Sequence, residues 1–264
     1  MDVFRVIKPA KNEVPVVISS PHSGSFIPKE IKDTMYPALA NEPDDTDWFI
    51  DELYDFAPEM GITMICANYS RWVIDLNRDP QSKPLYTDGR VITGLVPRTT
   101  FNGEPLYQAD EPDESEVDQR LNTFYMPYHT MIRQLLAEKL ETFGKVLLFD
   151  AHSIRKRVPG IRNEPFPDLI LGDNDWQTAS PKLSESGLKA LESPKYELSH
   201  NHPFRGGYIT RNFGRPENNI HALQLEMAKT NYMDDSERNY DLSRAGSIRK
   251  LLSKMFEALI SELK

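Results

Sequence analysis

Two continuous apolar runs in this chain each end abruptly at a histidine. Residues 14–20 lead into Pro21-His22-Ser23-Gly24, and residues 146–149 lead into Asp150-Ala151-His152-Ser153. Unbroken apolar runs of this length predict strands covered on both faces. Polar groups at the carboxyl end of such strands lie where open α/β sheets collect their ligands. Residues 62–67 and 72–76 have the same apolar character and predict two more strands. Residues 168–172 and 196–200 predict short ones, and residues 222–227 alternate, with Gln224 and Glu226 on one face and Leu223, Leu225 and Met227 on the other.

Helical spacing separates these runs. Ile50, Leu53, Phe56, Ala57 and Met60 share one face, with N-cap candidates at Asp44, Asp45 and Asp47 and a stop at Gly61. Residues 115–143 predict a long helix that Pro127 kinks or divides, closed by Gly144. Residues 176–191 predict a surface helix, and Asp241 caps a final amphipathic helix carrying Ile248, Leu252, Met255 and Leu259. Residues 204–211 contain Gly206-Gly207 and predict a hinged loop entering an extended segment. Residues 80–115, rich in proline, glycine and acids, show no period and predict an active-site loop. The alternation of strands and helices predicts one α/β domain over residues 1–264, its mixed, mostly parallel sheet covered on both faces.

Composition narrows the function classes. Hydrophobic residues are 39% and charged residues 27%, as in a folded globular protein. The net charge of -9 argues against a nucleic-acid partner, which needs a basic face. No stretch approaches a membrane span. The single cysteine, Cys66, sits in an apolar run as a buried hydrophobe; with an amino terminus lacking a signal-peptide core, it leads us to expect a cytoplasmic protein. There is no G-x-S-x-G elbow and no glycine-rich phosphate loop.

Two strand-end histidines suggest a metal site. A catalytic zinc ion takes three histidine or carboxylate ligands and keeps one position open. His22 and His152 are the histidine candidates; Asp45 and Asp47 are the carboxylate candidates, and spacing does not decide between them. Glu226, at the end of an alternating strand, is the candidate general base. Arg71 and Arg78 bracket one predicted strand, Arg205 and Arg211 bracket the glycine hinge, and Asn77 offers an amide. Such a set suits a small substrate bearing carboxylates, and one arginine would steady an oxyanion. Asp75 and Asp150 are placed to orient the arginines or His152. His129 reads as a helix histidine and not a ligand, and the pair His200 and His202 only weakly suggests a second metal.

Taken in order, Pro21-His22-Ser23-Gly24, Asp45-Thr46-Asp47-Trp48, Ser70-Arg71-Trp72-Val73-Ile74-Asp75-Leu76-Asn77-Arg78, Asp150-Ala151-His152-Ser153, Phe204-Arg205-Gly206-Gly207-Tyr208 and Gln224-Leu225-Glu226 resemble the N-formylglutamate amidohydrolase family. The resemblance covers about residues 14 to 233. It implies a three-layer α/β/α fold like that of zinc-dependent exopeptidases, and hydrolysis of N-formyl-L-glutamate in histidine degradation. It implies metal ligation, by zinc on ligand type, through His22, His152 and a carboxylate from the 45–47 segment, with Asp45 favoured over Asp47. Glu226 would be the base and Arg71 or Arg211 the oxyanion group, with Arg71 favoured, while Arg71, Asn77, Arg78, Arg205, Gly207 and Arg211 would bind substrate. The alternatives are an amidohydrolase or carboxypeptidase-like enzyme for another N-acyl amino acid, and a noncatalytic carboxylate-binding protein.

Overall fold

A computed structural model describes residues 1–10, 12–81, 83–85 and 93–264. Seven strands, β1 (Phe4–Ile7), β2 (Val16–Ser20), β3 (Thr63–Ala67), β4 (Val146–Ile154), β5 (Leu169–Gly172), β6 (Leu198–His200) and β7 (Ile220–Ala228), form one sheet among the described residues. Their order is β1-β3-β2-β4-β7-β5-β6. The β2/β3, β2/β4, β4/β7 and β5/β6 pairs are parallel, whereas β1/β3 and β5/β7 are antiparallel. The helices are α1 (Lys29–Lys32), α2 (Pro37–Asn41), α3 (Ile50–Leu53), α4 (Glu114–Arg120), α5 (Met126–Phe143), α6 (Pro181–Leu191), α7 (Tyr208–Phe213) and α8 (Leu242–Glu262).

Helices cover both faces of the sheet, as its doubly apolar strands require. On one face, Val17, Ile65, Val146, Leu148 and Ala222 pack on Tyr128, Ile132 and Leu135 of α5 and on Ile209 and Phe213 of α7. On the other, Val16, Ile18, Leu147, Phe149, Leu223 and Leu225 pack on α3, α6 and α8. Strand β2 lies between β3, which follows it in the chain, and β4, which comes later on its other side. The chain therefore reverses direction across the sheet at β2 and β4, and a crevice opens at their carboxyl ends. Both strand-end histidines sit there. Among the described residues, no helix is long and apolar enough to cross a membrane.

Three local expectations change. Residues 72–76 are not a strand: Val73 NH bonds to Ser70 O and Asp75 NH to Leu95 O, so the segment runs in turns. Its apolar side chains are buried, but both edges of β3 are already taken by β1 and β2. The predicted extended segment after Gly207 is the short helix α7, whose Ile209 and Phe213 are its buried side. The helix expected from Asp44 to Met60 is broken into α3 and a 3₁₀ turn, Ala57–Met60, and α3 is preceded by a left-handed Phe49 instead of an aspartate cap. The short edge strand β1 carries no apolar run long enough to announce it. The division expected at Pro127 is present, as a π turn over Leu121–Tyr125 followed by α5 with proline in its first turn. Of the irregular 80–115 segment, residues 82 and 86–92 lie outside the described residues.

The loop after β6 is pressed onto β5. A Cβ on Gly172 would lie 2.7 Å from the carbonyl carbon of Arg205 and from the amide nitrogen of Gly206. Gly172→Ala is expected to lower stability by about 1–3 kcal/mol through overpacking of backbone against backbone. Urea denaturation at unchanged m-value measures this; an unaltered midpoint would show that the loop is free to move.

Candidate active site

Strand periodicity aims the polar groups. Val146, Leu148, Asp150 and His152 share one face of β4, apolar where α5 covers it and polar beyond. In the parallel β4/β7 register, Asp150 stands opposite Gln224 and His152 opposite Glu226, so these side chains project from adjacent strands on the same face. His22 follows β2 by two residues, and its carbonyl accepts from Asp47 NH at 2.9 Å, which brings Asp47 beside it.

The two imidazoles lie 4.9 Å apart, centroid to centroid. Nδ1 of His152 is 2.9 Å from Asp47 Oδ2, and Nδ1 of His22 is 3.8 Å from the same oxygen. Each far nitrogen is held by its own buried aspartate: His22 Nε2 lies 2.7 Å from Asp75 Oδ1, and His152 Nε2 lies 3.0 Å from Asp150 Oδ2. One donor atom from each of His22, Asp47 and His152 fits within 4.8 Å of the others, and all three residues are buried. His22 Nδ1 is buried and has no hydrogen-bond partner among the described residues. Burial and the nearby Arg71 guanidinium lower the pKa of His22. Burial also opposes charge on His152, but the carboxylates of Asp150 and Asp47 outweigh it and hold this imidazole well above its ordinary range. Burial pushes Glu226 upward, against the attraction of His152 and with the repulsion of Asp47.

The segment from Arg71 to Arg78 brings the cations. Asp75 Oδ2 accepts from Arg71 Nη2 at 2.6 Å and faces Arg78 Nε at 3.3 Å. The Arg71 guanidinium is stacked 4.6 Å over the Phe101 ring. Asn77 is a brace: Nδ2 donates to Asp150 Oδ2 at 3.0 Å, and Oδ1 accepts from Ile209 NH at 2.7 Å. A Cβ on Gly207 would meet the Asn77 amide at 2.4 Å, so only glycine allows this approach, and Gly207 NH donates to Gln224 Oε1 at 2.6 Å.

His22, Asp47, Arg71, Asn77, Arg78, His152, Gly207 and Glu226 thus line one pocket of about 100 Å³. Phe101, Ile154, Ile161 and Phe204 form its apolar wall. Three expected residues fall elsewhere. Asp45 turns away from the histidines, its Oδ2 accepting from Trp72 Nε1 at 3.0 Å and Phe101 NH at 3.1 Å. The carboxylate beside the histidines is therefore that of Asp47, and Asp45 braces the pocket wall. Arg205 pairs with Asp175 at 3.0 Å on the surface. Arg211 reaches Gly206 O at 2.8 Å and Leu85 O at 3.0 Å, tying two loops together. Phe101 and Ser153 line the pocket without a sequence signal beyond their neighbourhood. His129 is buried against Leu76 O, and His200 lies 3.1 Å from Asp173, each as an ordinary hydrogen-bonded side chain.

Removing Asp75 leaves Arg71 as a buried charge without its counterion. In metal-free protein at pH 7, Asp75→Ala is expected to lose about 3–5 kcal/mol of stability. The Arg71 guanidinium above all, with Arg78 behind it, overcomes burial and holds the Asp75 carboxyl well below its ordinary range. A depressed carboxyl contributes stability above its unfolded pKa of about 3.9, and loses it as pH falls through its folded value. The gap between wild type and variant, measured by denaturant midpoints, should therefore narrow below about pH 4. An equal gap at pH 3 and pH 7 would show that charge is not the cause.

The N-formylglutamate amidohydrolase family model matches residues 14–233. The N-formylglutamate deformylase of Pseudomonas putida is 38% identical over 261 residues, which is 97% of this chain and 96% of that protein. The N-formylglutamate deformylase of Pseudomonas aeruginosa is 39% identical over 255 residues, 95% of this chain and 94% of that protein. The crystal structure of an N-formylglutamate amidohydrolase from Ralstonia eutropha JMP134 superposes with a TM-score of 0.82 at 25% identity, covering 100% of this chain and 98% of that one. A gene product of Agrobacterium tumefaciens shares the fold, with a TM-score of 0.75 at 18% identity over 98% of this chain and 96% of that one. By family model, by near-full-length identity and by fold, the chain belongs to the N-formylglutamate amidohydrolase family.

Proposed function

We propose that this chain hydrolyses N-formyl-L-glutamate to formate and L-glutamate, with one divalent metal ion, zinc, held by His22, Asp47 and His152. The observation that carries the reading is the paired arrangement of the imidazoles. Each has its far nitrogen on a buried aspartate and its near nitrogen facing Asp47 Oδ2. Outer carboxylates of this kind fix the ring and raise its basicity as a ligand. The buried Nδ1 of His22, without a hydrogen-bond partner among the described residues, is placed to ligate a cation, and Asp47 offers its carboxylate beside it. Two histidines and one carboxylate suit zinc with a position left open. When bound, the ion supplies Lewis-acid polarisation of the formyl oxygen and lowers the pKa of water.

The chain's own groups do the rest. Glu226 takes a proton from the attacking water as its oxygen adds to the formyl carbon. It returns that proton to the amide nitrogen as the C–N bond breaks, leaving formate and the free amine. Burial raises the Glu226 carboxyl toward the range in which it can both accept and donate. Arg71, held by Asp75 and Phe101, presents positive charge to the developing oxyanion. Arg78 and Arg71 offer guanidinium groups to the glutamate carboxylates at the pocket wall. The names borne by the Pseudomonas relatives support this substrate.

Purified protein should release formate from N-formyl-L-glutamate, lose that activity on chelation and regain it with zinc. Turnover that survives exhaustive chelation would remove the metal. A metal-containing protein that ignores N-formyl-L-glutamate but cleaves N-acetyl-glutamate or N-formyl-aspartate would keep the reaction and change the substrate. Glu226→Gln is expected to lower kcat by about 10²–10⁴-fold, and near-wild-type turnover would end its assignment as base. Asp150→Asn is expected to weaken zinc binding by about 10–100-fold, as read by competition with a chromogenic chelator.

A further inference from the structure

The segment from Arg71 to Arg78 belongs to no strand, so its buried carbonyls need partners outside the sheet. Three of them are met by side chains of one helical stretch. Arg120 Nη1 donates to Val73 O at 3.1 Å, His129 Nε2 to Leu76 O at 2.8 Å, and Tyr125 OH to Arg78 O at 2.8 Å. All three side chains are buried, and the Tyr125 and His129 rings stack with centroids 4.0 Å apart. His129 bonds to a carbonyl and so carries its proton on Nε2.

Tyr125 and His129 are four residues apart and share a face of an α-helix. Arg120 and Tyr125 are five apart, and in an uninterrupted α-helix their directions would differ by about 140°. They lie instead at the two ends of the π turn over Leu121–Tyr125, where i and i+5 stack.

We infer that this π turn is a positioning device: it places Arg120 and Tyr125 on the side that carries His129, and the three side chains together set the bearing of Arg71, Asp75, Asn77 and Arg78 on the pocket. The residues are positioning residues and touch no substrate. The kinetic part of the inference rests on the proposed hydrolysis of N-formyl-L-glutamate; the structural part does not.

The test joins amide hydrogen exchange to steady-state kinetics in Tyr125→Phe, which removes one oxygen atom, in His129→Leu, and in His129→Gln, which restores a donor. Exchange in the 70–79 peptide is expected to rise about tenfold in the first two, with the β4 peptide unchanged. Tyr125→Phe, loosening the Arg78 carbonyl, should raise KM several-fold with little change in kcat. His129→Leu, loosening the carbonyl between Asp75 and Asn77, should lower kcat by about tenfold, and His129→Gln should recover most of it. Unchanged exchange in Tyr125→Phe overturns the inference. So does a uniform rise in exchange with activity falling only as the folded fraction falls, or faster loop exchange with kinetics unmoved. A wild-type chain that does not turn over N-formyl-L-glutamate sinks the substrate instead, and the exchange pattern then decides the positioning alone.

Discussion

One buried carboxylate, that of Asp75, joins the scaffold to the chemistry. It accepts from Arg71, faces Arg78, holds His22 through Nε2, and takes the backbone NH of Asn77, all at 3.3 Å or less. A lone ion at this depth would be costly, and two guanidinium groups and an imidazole offset the cost. In return, the positions of a candidate metal ligand and two candidate carboxylate binders become mutually dependent. Moving any one disturbs the hydrogen bonds of the others.

Asp150 plays the matching part for His152. It sits on a central strand instead of a loop, so its direction is set by the pleat of β4 and not by side-chain packing. Asn77 links the two aspartates: its backbone bonds to Asp75 and its amide to Asp150. The same amide accepts from the start of α7, and Gly207 packs directly on it. Rigid strand ends and three separate loops are thereby locked into one polar network. Such preorganisation is what a hydrolytic site needs if its charges are not to reorganise during the reaction.

The division of labour among the arginines follows from burial. Arg71 and Arg78 are drawn inward by Asp75 and reach the pocket. Arg205 remains with Asp175 at the surface, and Arg211 reaches the carbonyls of Gly206 and Leu85. The second pair shapes the loops that close the pocket, and the first pair presents charge within it. Family membership and geometry meet here: an N-formylglutamate amidohydrolase chain has cations beside two histidines and a strand-end glutamate in one pocket.

Local sequence determined much of this. Apolar runs announced β2 and β4 and alternation announced β7, and with them His22, Asp150, His152 and Glu226, because strand direction and the period of two place a side chain without reference to distant residues. The long helix and the final helix followed from the period of 3.6 in the same way. Tertiary structure alone decided the rest. Trp72 to Leu76 has the composition of a strand, but β3 has no free edge for it. Asp45 and Asp47 are two residues apart with the same chemistry. Trp72 and Phe101 claim one, while His22 and His152 claim the other. The π turn leaves no periodic mark, since it is one residue of slippage that pays off only in contacts to Val73 and Arg78. Periodicity reports how a residue is directed by its neighbours in the chain. Which of two like side chains meets a partner, and which backbone finds a sheet edge, depends on groups tens of positions away that only the folded sheet brings together.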